Sequence, residues 1–523
     1  MSLTNSAKKL LIYMFVIFLI LRFSSGCQRS TNILEARKNS LIYSQSEEPS
    51  SLDSARIGDV PSSIVAFNVY ESLLKFKEGT LEVVPNLAEY WEESRDRLSY
   101  VFKLRKDVKF HDGTKFNAQA VKFNIDRQLE SNRDENMPYA TAVYGAVECV
   151  EILDDYTVKF VLKEVCSYFL KNMAMDIGAF MASPDAIKKS KNNDITKNPV
   201  GTGPYKYREW RKGQSIKLYR NEEYWGERAC TENLVFKFIK DASSRLVALD
   251  NGEVDIIEKV DIDSAERIKL ENKNKLDISE VLGTYYMAYN TERFPFNNKE
   301  ARRAISQAVN IEELVSTICR NYASPATSLL PKLISGHDPN IKYSSYNENV
   351  SRETLKNLGV KKIKILSLST VGIFGSDQQW AEAVQSYLSK VGVESEIQAC
   401  DLKSYRDKIS KERDFDLCFY RWISDNGDAD NFLQILSKDN PELNYSRYNS
   451  DRFEEILKKG RNTAYGPQRD DLYTEAEKVL SEDLPLVPLF YNQEITAMSR
   501  EVNNFILNPT GTIKFALIFK SQS

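Results

Sequence analysis

The chain has 523 residues, 71 Lys and Arg against 74 Asp and Glu, and a formal net charge of −3. That length exceeds what one hydrophobic core organises, so two or three domains are expected. The near balance of charge supplies no basic field for nucleic acid. With only two histidines, His111 and His337, in unrelated surroundings, a His-based zinc or catalytic centre has no material.

At the N-terminus Lys8-Lys9 precede an unbroken apolar run over residues 10–21, too short to span a bilayer as a mature helix and suited to the h-region of a signal peptide covering residues 1–26. Ser24-Ser25-Gly26-Cys27 then resembles a bacterial lipobox. It implies a lipid-anchored Cys27 followed by a polar tether to residue 40, the alternatives being a plain secreted protein or an uncleaved anchor. The six later cysteines have long, irregular spacings, which permit bridges outside the cytoplasm but mark no disulfide scaffold.

Ile42-Tyr43 open a short strand, and the turn-rich residues 48–53 lead to Arg56-Ile57-Gly58-Asp59. Residues 62–74 mix helical and strand spacing and are read as a helix. A strand over residues 100–105 and a turn at His111-Asp112-Gly113 precede a helix capped by Asn117. Residues 146–152 and 156–162 form a strand pair. Gly201-Thr202-Gly203 lacks the Lys of a P-loop and the third Gly of a dinucleotide fingerprint, and Pro204 blocks an immediate helix, so phosphate binding is discounted. Residues 283–291 read as an aromatic strand, 301–309 as a helix, 335–349 as a surface excursion, 363–368 as a strand, 377–390 as an amphipathic helix and 393–397 as a strand. Helices over 451–459 and 468–481 follow, and residues 483–490 lead to a final strand. This alternation fits an open α/β sheet.

Residues 415–432, FDLCFYRWISDNGDADNF, begin as a buried strand and break at Ser424-Asp425-Asn426-Gly427 into a loop with a helix cap at Asp430. A carboxylate at a strand end beside an indole, Trp422, can accept a ligand ammonium. The same composition also suits a solvent-facing turn. A calcium loop counted from Asp425 would need Gly at its sixth position and Glu at its twelfth, where this chain has Asp430 and Leu436.

Several motifs in order carry a resemblance: Asn86-Leu87-Ala88-Glu89-Tyr90-Trp91, then residues 102–113 (FKLRKDVKFHDG), Phe116-Asn117-Ala118, Asn198-Pro199-Val200-Gly201-Thr202-Gly203-Pro204-Tyr205 and residues 248–256. Together they resemble the peptide- and nickel-receptor family of solute-binding proteins of bacterial ABC importers, over roughly residues 42 to 508. The resemblance makes His111 a turn residue of the signature rather than a ligand. It implies a two-lobed α/β fold of periplasmic-binding-protein type (class II-like) with a hinge and an additional α+β domain. The expected division is residues 41–68, 199–282 and 490–523 in the first lobe, 69–198 in the extra domain and 283–489 in the second lobe.

The same resemblance implies a monomeric receptor that binds a peptide between its lobes, without a cofactor or a resident metal, and delivers it to a membrane permease. The family's aspartate for the peptide ammonium falls on Asp425, with Trp422 and Gly427 as walls. Asn426, Ile57 and Gly58 are the remaining ligand-contact candidates. In dipeptide receptors an arginine holds the ligand carboxylate, and its position falls on Val371, in a loop (residues 369–375) with no basic residue. That departure points away from a strict dipeptide receptor, toward longer peptides or another cationic solute, with a nickel chelate, haem or an opine-like compound as alternatives. A secreted hydrolase using Asp425 and Asp428 is the reading from another class; it needs a raised-pKa acid and a second group across a cleft.

Overall fold

The computed structural model describes residue 37 and residues 39–343, 345–369 and 371–521. The leader, Cys27 and the side chain of Val371 lie outside the described residues.

One large mixed sheet runs through both lobes. From one edge its strands are Glu394–Cys400, Lys362–Leu368, Leu417–Ile423, Asn274–Tyr289, Leu486–Ser499, Ile256–Ile257, Ser40–Gln45, Asn233–Phe238, Ser215–Arg220 and Tyr205–Arg211, with Ser324–Pro325 paired to the fifth. The strand Lys362–Leu368 lies parallel to both its neighbours, as helical crossovers require. The two longest described strands, Asn274–Tyr289 and Leu486–Ser499, pair antiparallel along the middle of the sheet. Their register slips between Glu280 and Thr284, where a Cβ on Gly283 would come within 2.4 Å of the Asn492 amide nitrogen. A bulge at that point bends both strands. A separate four-stranded antiparallel sheet, Ala88–Glu93, Ser99–Leu104, Thr157–Leu162 and Val147–Asp154, forms the extra domain.

Local chemistry explains the elements that frame the second lobe. The helix Asp377–Lys390 starts at a capping box between Ser376 and Gln379 and buries Trp380, Ala381, Val384, Tyr387 and Leu388 along one stripe. The strand Leu417–Ile423 alternates between two cores: Leu417 and Phe419 enter the one beneath that helix, Cys418 the one on the opposite face. Strand alternation therefore settles which side chains enter which core.

Several sequence expectations need correction. The helix read at residues 62–74 stops at Val60–Ala66, capped by Asp59, because the chain must turn into the strand Leu74–Phe76. The aromatic strand begins nine residues earlier than residue 283, at Asn274, since the segment pairs with Leu486–Ser499 over both lobes. Residues 335–349 end within the helix Glu348–Asn357. Asn117 caps the helix Ala118–Asp126 by accepting from the Ala120 amide, as expected. His111 is half-buried and turns inward: its Nε2 lies 2.9 Å from the Gly203 carbonyl, and desolvation pushes the imidazole down to about 4. Gly201 and Gly203 have a packing reason, because Cβ atoms there would fall 2.0 and 2.8 Å from Val69 backbone atoms. The six described cysteines are all free. Among the described residues no helix is long and apolar enough to cross a membrane.

Candidate functional site

The loop after Leu417–Ile423 leaves the second lobe and lands on the extra domain. Gly427 makes that approach feasible: its φ is +62°, and a Cβ there would sit 2.7 Å from Leu81. Lys171 donates to the Gly427 carbonyl, and the Asn426 amide donates to Asn172 at 2.9 Å. Within the loop, Ser424 accepts from the Gly427 amide at 3.0 Å, holding the turn.

Three acids occupy this short stretch, and the fold separates their roles. Asp428 is fully buried and takes a two-pronged bond from Arg469, Nη1–Oδ2 3.0 Å and Nη2–Oδ1 2.8 Å, while the Tyr465 hydroxyl donates to it at 2.8 Å. Burial works to raise its carboxyl, but Arg469 and Lys171 hold it below the usual range. Asp430 pairs with Arg461 at 2.8 Å. The helix cap is Asp428, which accepts from the Asp430 amide, and not Asp430 as the sequence reading had it. Two arginines thus claim both carboxylates, so Asp428 is not free to serve as the second acid of a hydrolytic pair.

Asp425 differs. It is half-buried and accepts one hydrogen bond, from the Tyr139 hydroxyl of the extra domain at 3.1 Å. Among the described residues no cation pairs with it, and burial pushes its carboxyl up to about 6. Tyr139 stands at the start of the short helix Ala140–Tyr144, against Gly178, whose φ of +79° and missing Cβ leave room for the ring's stem. Gly58 abuts Pro138, next to Tyr139: a Cβ there would lie 2.9 Å from the proline ring. Asp425 thus meets Tyr139 directly, and Gly58 packs against the residue just before that tyrosine.

The other candidates are placed differently. Trp422 is half-buried, donates its indole N–H to Asn431 at 2.9 Å and packs on the second-lobe core. Ile57 is 0% exposed within the first core, so its side chain packs rather than contacts ligand. Asn426 is committed to Asn172 and serves docking. Sequence reading missed Tyr139, Lys171, Asn172 and Arg469. No periodicity marks them, because each acts through a contact 41 to 286 residues away in the chain.

Asp425 is thus a carboxylate desolvated where the loop meets the extra domain, with no cation paired to it among the described residues. The family profile of the bacterial extracellular solute-binding proteins, family 5 (middle region), matches residues 82–444. The chain belongs to this family. Family 5 relatives include Heme-binding protein A of Haemophilus influenzae, 28% identical over 519 residues and covering 93% of this chain and 94% of that one. Di/tripeptide-binding protein 1 of Pseudomonas aeruginosa is 28% identical over 506 residues, covering 92% and 94%. The solved Helicobacter pylori periplasmic binding protein DppA, in complex with the peptide STSA, is 28% identical and superposes with a TM-score of 0.77, covering 94% of this chain and 100% of its own. These likenesses bear out the two-lobed α/β fold and the solute-binding role that the motifs led us to expect.

Proposed function

We propose that this solute-binding protein captures peptides by their free N-terminus between its lobes and passes them to the permease of an ABC importer. The observation that carries the reading is Asp425: a carboxylate raised by burial, with one hydrogen bond from the opposite domain and, among the described residues, no cation to balance it. An α-ammonium arriving there turns a costly buried carboxyl into a charge-assisted pair. The same loop contacts Lys171 and Asn172 of the extra domain, so ligand capture and closure of the seam are one event, and the ligand's preference for the closed state shifts the population. A relative named for di- and tripeptides and one solved with the peptide STSA favour the same solute class.

The leader motif supports anchoring through Cys27 at the cell envelope, with the receptor acting as a monomer and without catalysis. Globomycin-sensitive processing, or its absence in a Cys27→Ala protein, checks the anchor. The function is tested by titrating free and N-acetylated peptides into wild-type and Asp425→Asn protein. Wild type discriminates strongly against N-acetylation and the variant does not. Equal binding of both peptides by wild type removes the assigned role of Asp425, and release of cleaved peptides overturns the receptor reading. Native mass spectrometry of protein from its own cells identifies the solute it carries.

A further inference from the structure

The hairpin of Leu74–Phe76 and Val83–Pro85 meets residues 508–514 near the end of the chain, where the Gly79 amide of its turn donates to Asn508 at 3.2 Å. Residues of both segments line a cavity of about 90 Å³. Phe67, Tyr70, Phe76 and Phe180 give it an aromatic wall, with the rings of Tyr70 and Phe180 stacked at 5.9 Å. A water takes up about 10–15 Å³ of such space, so the cavity holds about six water-sized atoms. That is enough for a tetrahedral oxyanion and too little for a peptide.

Two lysines line this cavity, one from each segment: Lys75 on the hairpin and Lys514 just before the short helical turn Phe515–Leu517. Both are half-buried, and among the described residues neither side chain makes a hydrogen bond or an ion pair. Burial first, and then the charge of Lys514, pushes the Lys75 ammonium down; Arg105 adds to this, and Glu71 and Glu78 work the other way. The two acids on the wall are not the missing partners. Glu71 is buried and already accepts from three neutral donors, the Tyr224 hydroxyl at 2.7 Å, the Trp225 indole at 2.8 Å and the Thr202 hydroxyl at 2.9 Å. Burial raises its carboxyl, with those donors and Lys514 opposing. Glu78 is exposed on the hairpin turn and makes no ion pair among the described residues. Two like charges drawn partly out of water without an acceptor are costly, and an oxyanion between them turns that cost into charge-assisted hydrogen bonds.

We propose that this cavity is a binding site for a small oxyanion of the phosphate class, held by the Lys75 and Lys514 ammonium groups. The bound ion fastens the hairpin to residues 508–514, because each segment supplies one of its two cations. The aromatic wall lowers the local dielectric and so strengthens both contacts. The proposal does not depend on the reading of Asp425. The competing arrangement is a pair between Lys75 and Glu78, three residues along the hairpin, which would leave no need for an ion.

The test is calorimetric titration of the full-length protein with inorganic phosphate in a chloride buffer of constant ionic strength, with melting temperatures measured in the presence and absence of phosphate. Wild type should bind phosphate and melt higher with it. Lys75→Gln and Lys514→Gln should each weaken phosphate about 10- to 100-fold, the effect of losing one charged hydrogen bond. In phosphate-free buffer both variants should melt at or above wild type, because a repulsion is relieved. Sulfate should compete with phosphate, and Lys361→Gln, which removes an exposed lysine of another segment, should bind phosphate as wild type does. No phosphate binding by wild type overturns the proposal. So does an equal phosphate response in wild type and both cavity variants, which marks a general salt effect or another site. Lower melting of both Lys75→Gln and Glu78→Gln in phosphate-free buffer reveals a Lys75–Glu78 pair and overturns it as well.

Discussion

Replacing Asp425 with Asn should stabilise the ligand-free protein and destroy its response to peptide. The carboxamide keeps an oxygen for the Tyr139 hydroxyl, 3.1 Å away, and removes only the charge. The Asp425 carboxyl is raised from 3.8 to about 6 because burial disfavours its ionised form. Below about pH 4 the group is protonated in folded and unfolded chains alike and contributes no difference. Between about pH 4 and 6 the unfolded chain releases its proton while the folded one retains it, so stability falls as pH rises; above about pH 6 the penalty is constant. At about 1.4 kcal/mol per pH unit, the full displacement corresponds to about 3 kcal/mol, and partial exposure brings the expected gain in the variant to about 1–3 kcal/mol. Thermal and urea denaturation of stripped wild-type and variant protein at pH 4 and pH 8, each with and without a free peptide, measures both effects. The variant should match wild type at pH 4 and exceed it at pH 8, and peptide should raise only the wild-type melting temperature. If the variant is less stable at pH 8 without peptide, or if peptide stabilises both proteins alike, the argument from an uncompensated buried carboxylate is refuted.

Removing the guanidinium in Arg469→Met strands the fully buried Asp428 and should cost about 3–5 kcal/mol, seen as a lower denaturation midpoint, with Asp428→Asn in the same chain recovering part of it. Gly427→Ala forces a side chain into a left-handed backbone and against Leu81, a strain of about 1–3 kcal/mol, and should weaken peptide binding in calorimetry; Leu81→Ala relieves the clash but not the backbone term. Asn426→Ala leaves Asn172 without its cross-domain donor and should lower the population of docked lobes by about 1–2 kcal/mol, read as faster amide exchange in residues 424–428. Gly283→Ala meets the Asn492 amide at 2.4 Å and should disturb the paired long strands, reducing both stability and affinity.

The elements with strong local signals were legible in advance. Asn117 and the helix it caps, the strand over residues 363–368 and the helix Asp377–Lys390 all follow from spacing, caps and alternation that neighbours in sequence suffice to set. Misreadings occurred where tertiary pairing overrode local preference. Residues 62–74 carry enough apolar residues for a helix, but their backbone is needed at a turn and a strand. The strand from Asn274 extends past its apolar stretch because a partner strand supplies its hydrogen bonds.

The acids of residues 425–430 show the division most clearly. As sequence they are three similar aspartates in a turn-rich stretch, and resemblance to a receptor family singled out Asp425 without a physical reason that separates it from Asp428 and Asp430. The reason lies in groups far along the chain. Arg469 and Arg461 pair with Asp428 and Asp430, whereas among the described residues the one polar partner of Asp425 is the hydroxyl of Tyr139. By itself the sequence determined the family, the α/β alternation and the shortlist of carboxylates, because these rest on residue type and local order. Only the tertiary structure decided which of these carboxylates stands without an ion-pair partner among the described residues, since pairing and burial depend on what the fold brings across the seam.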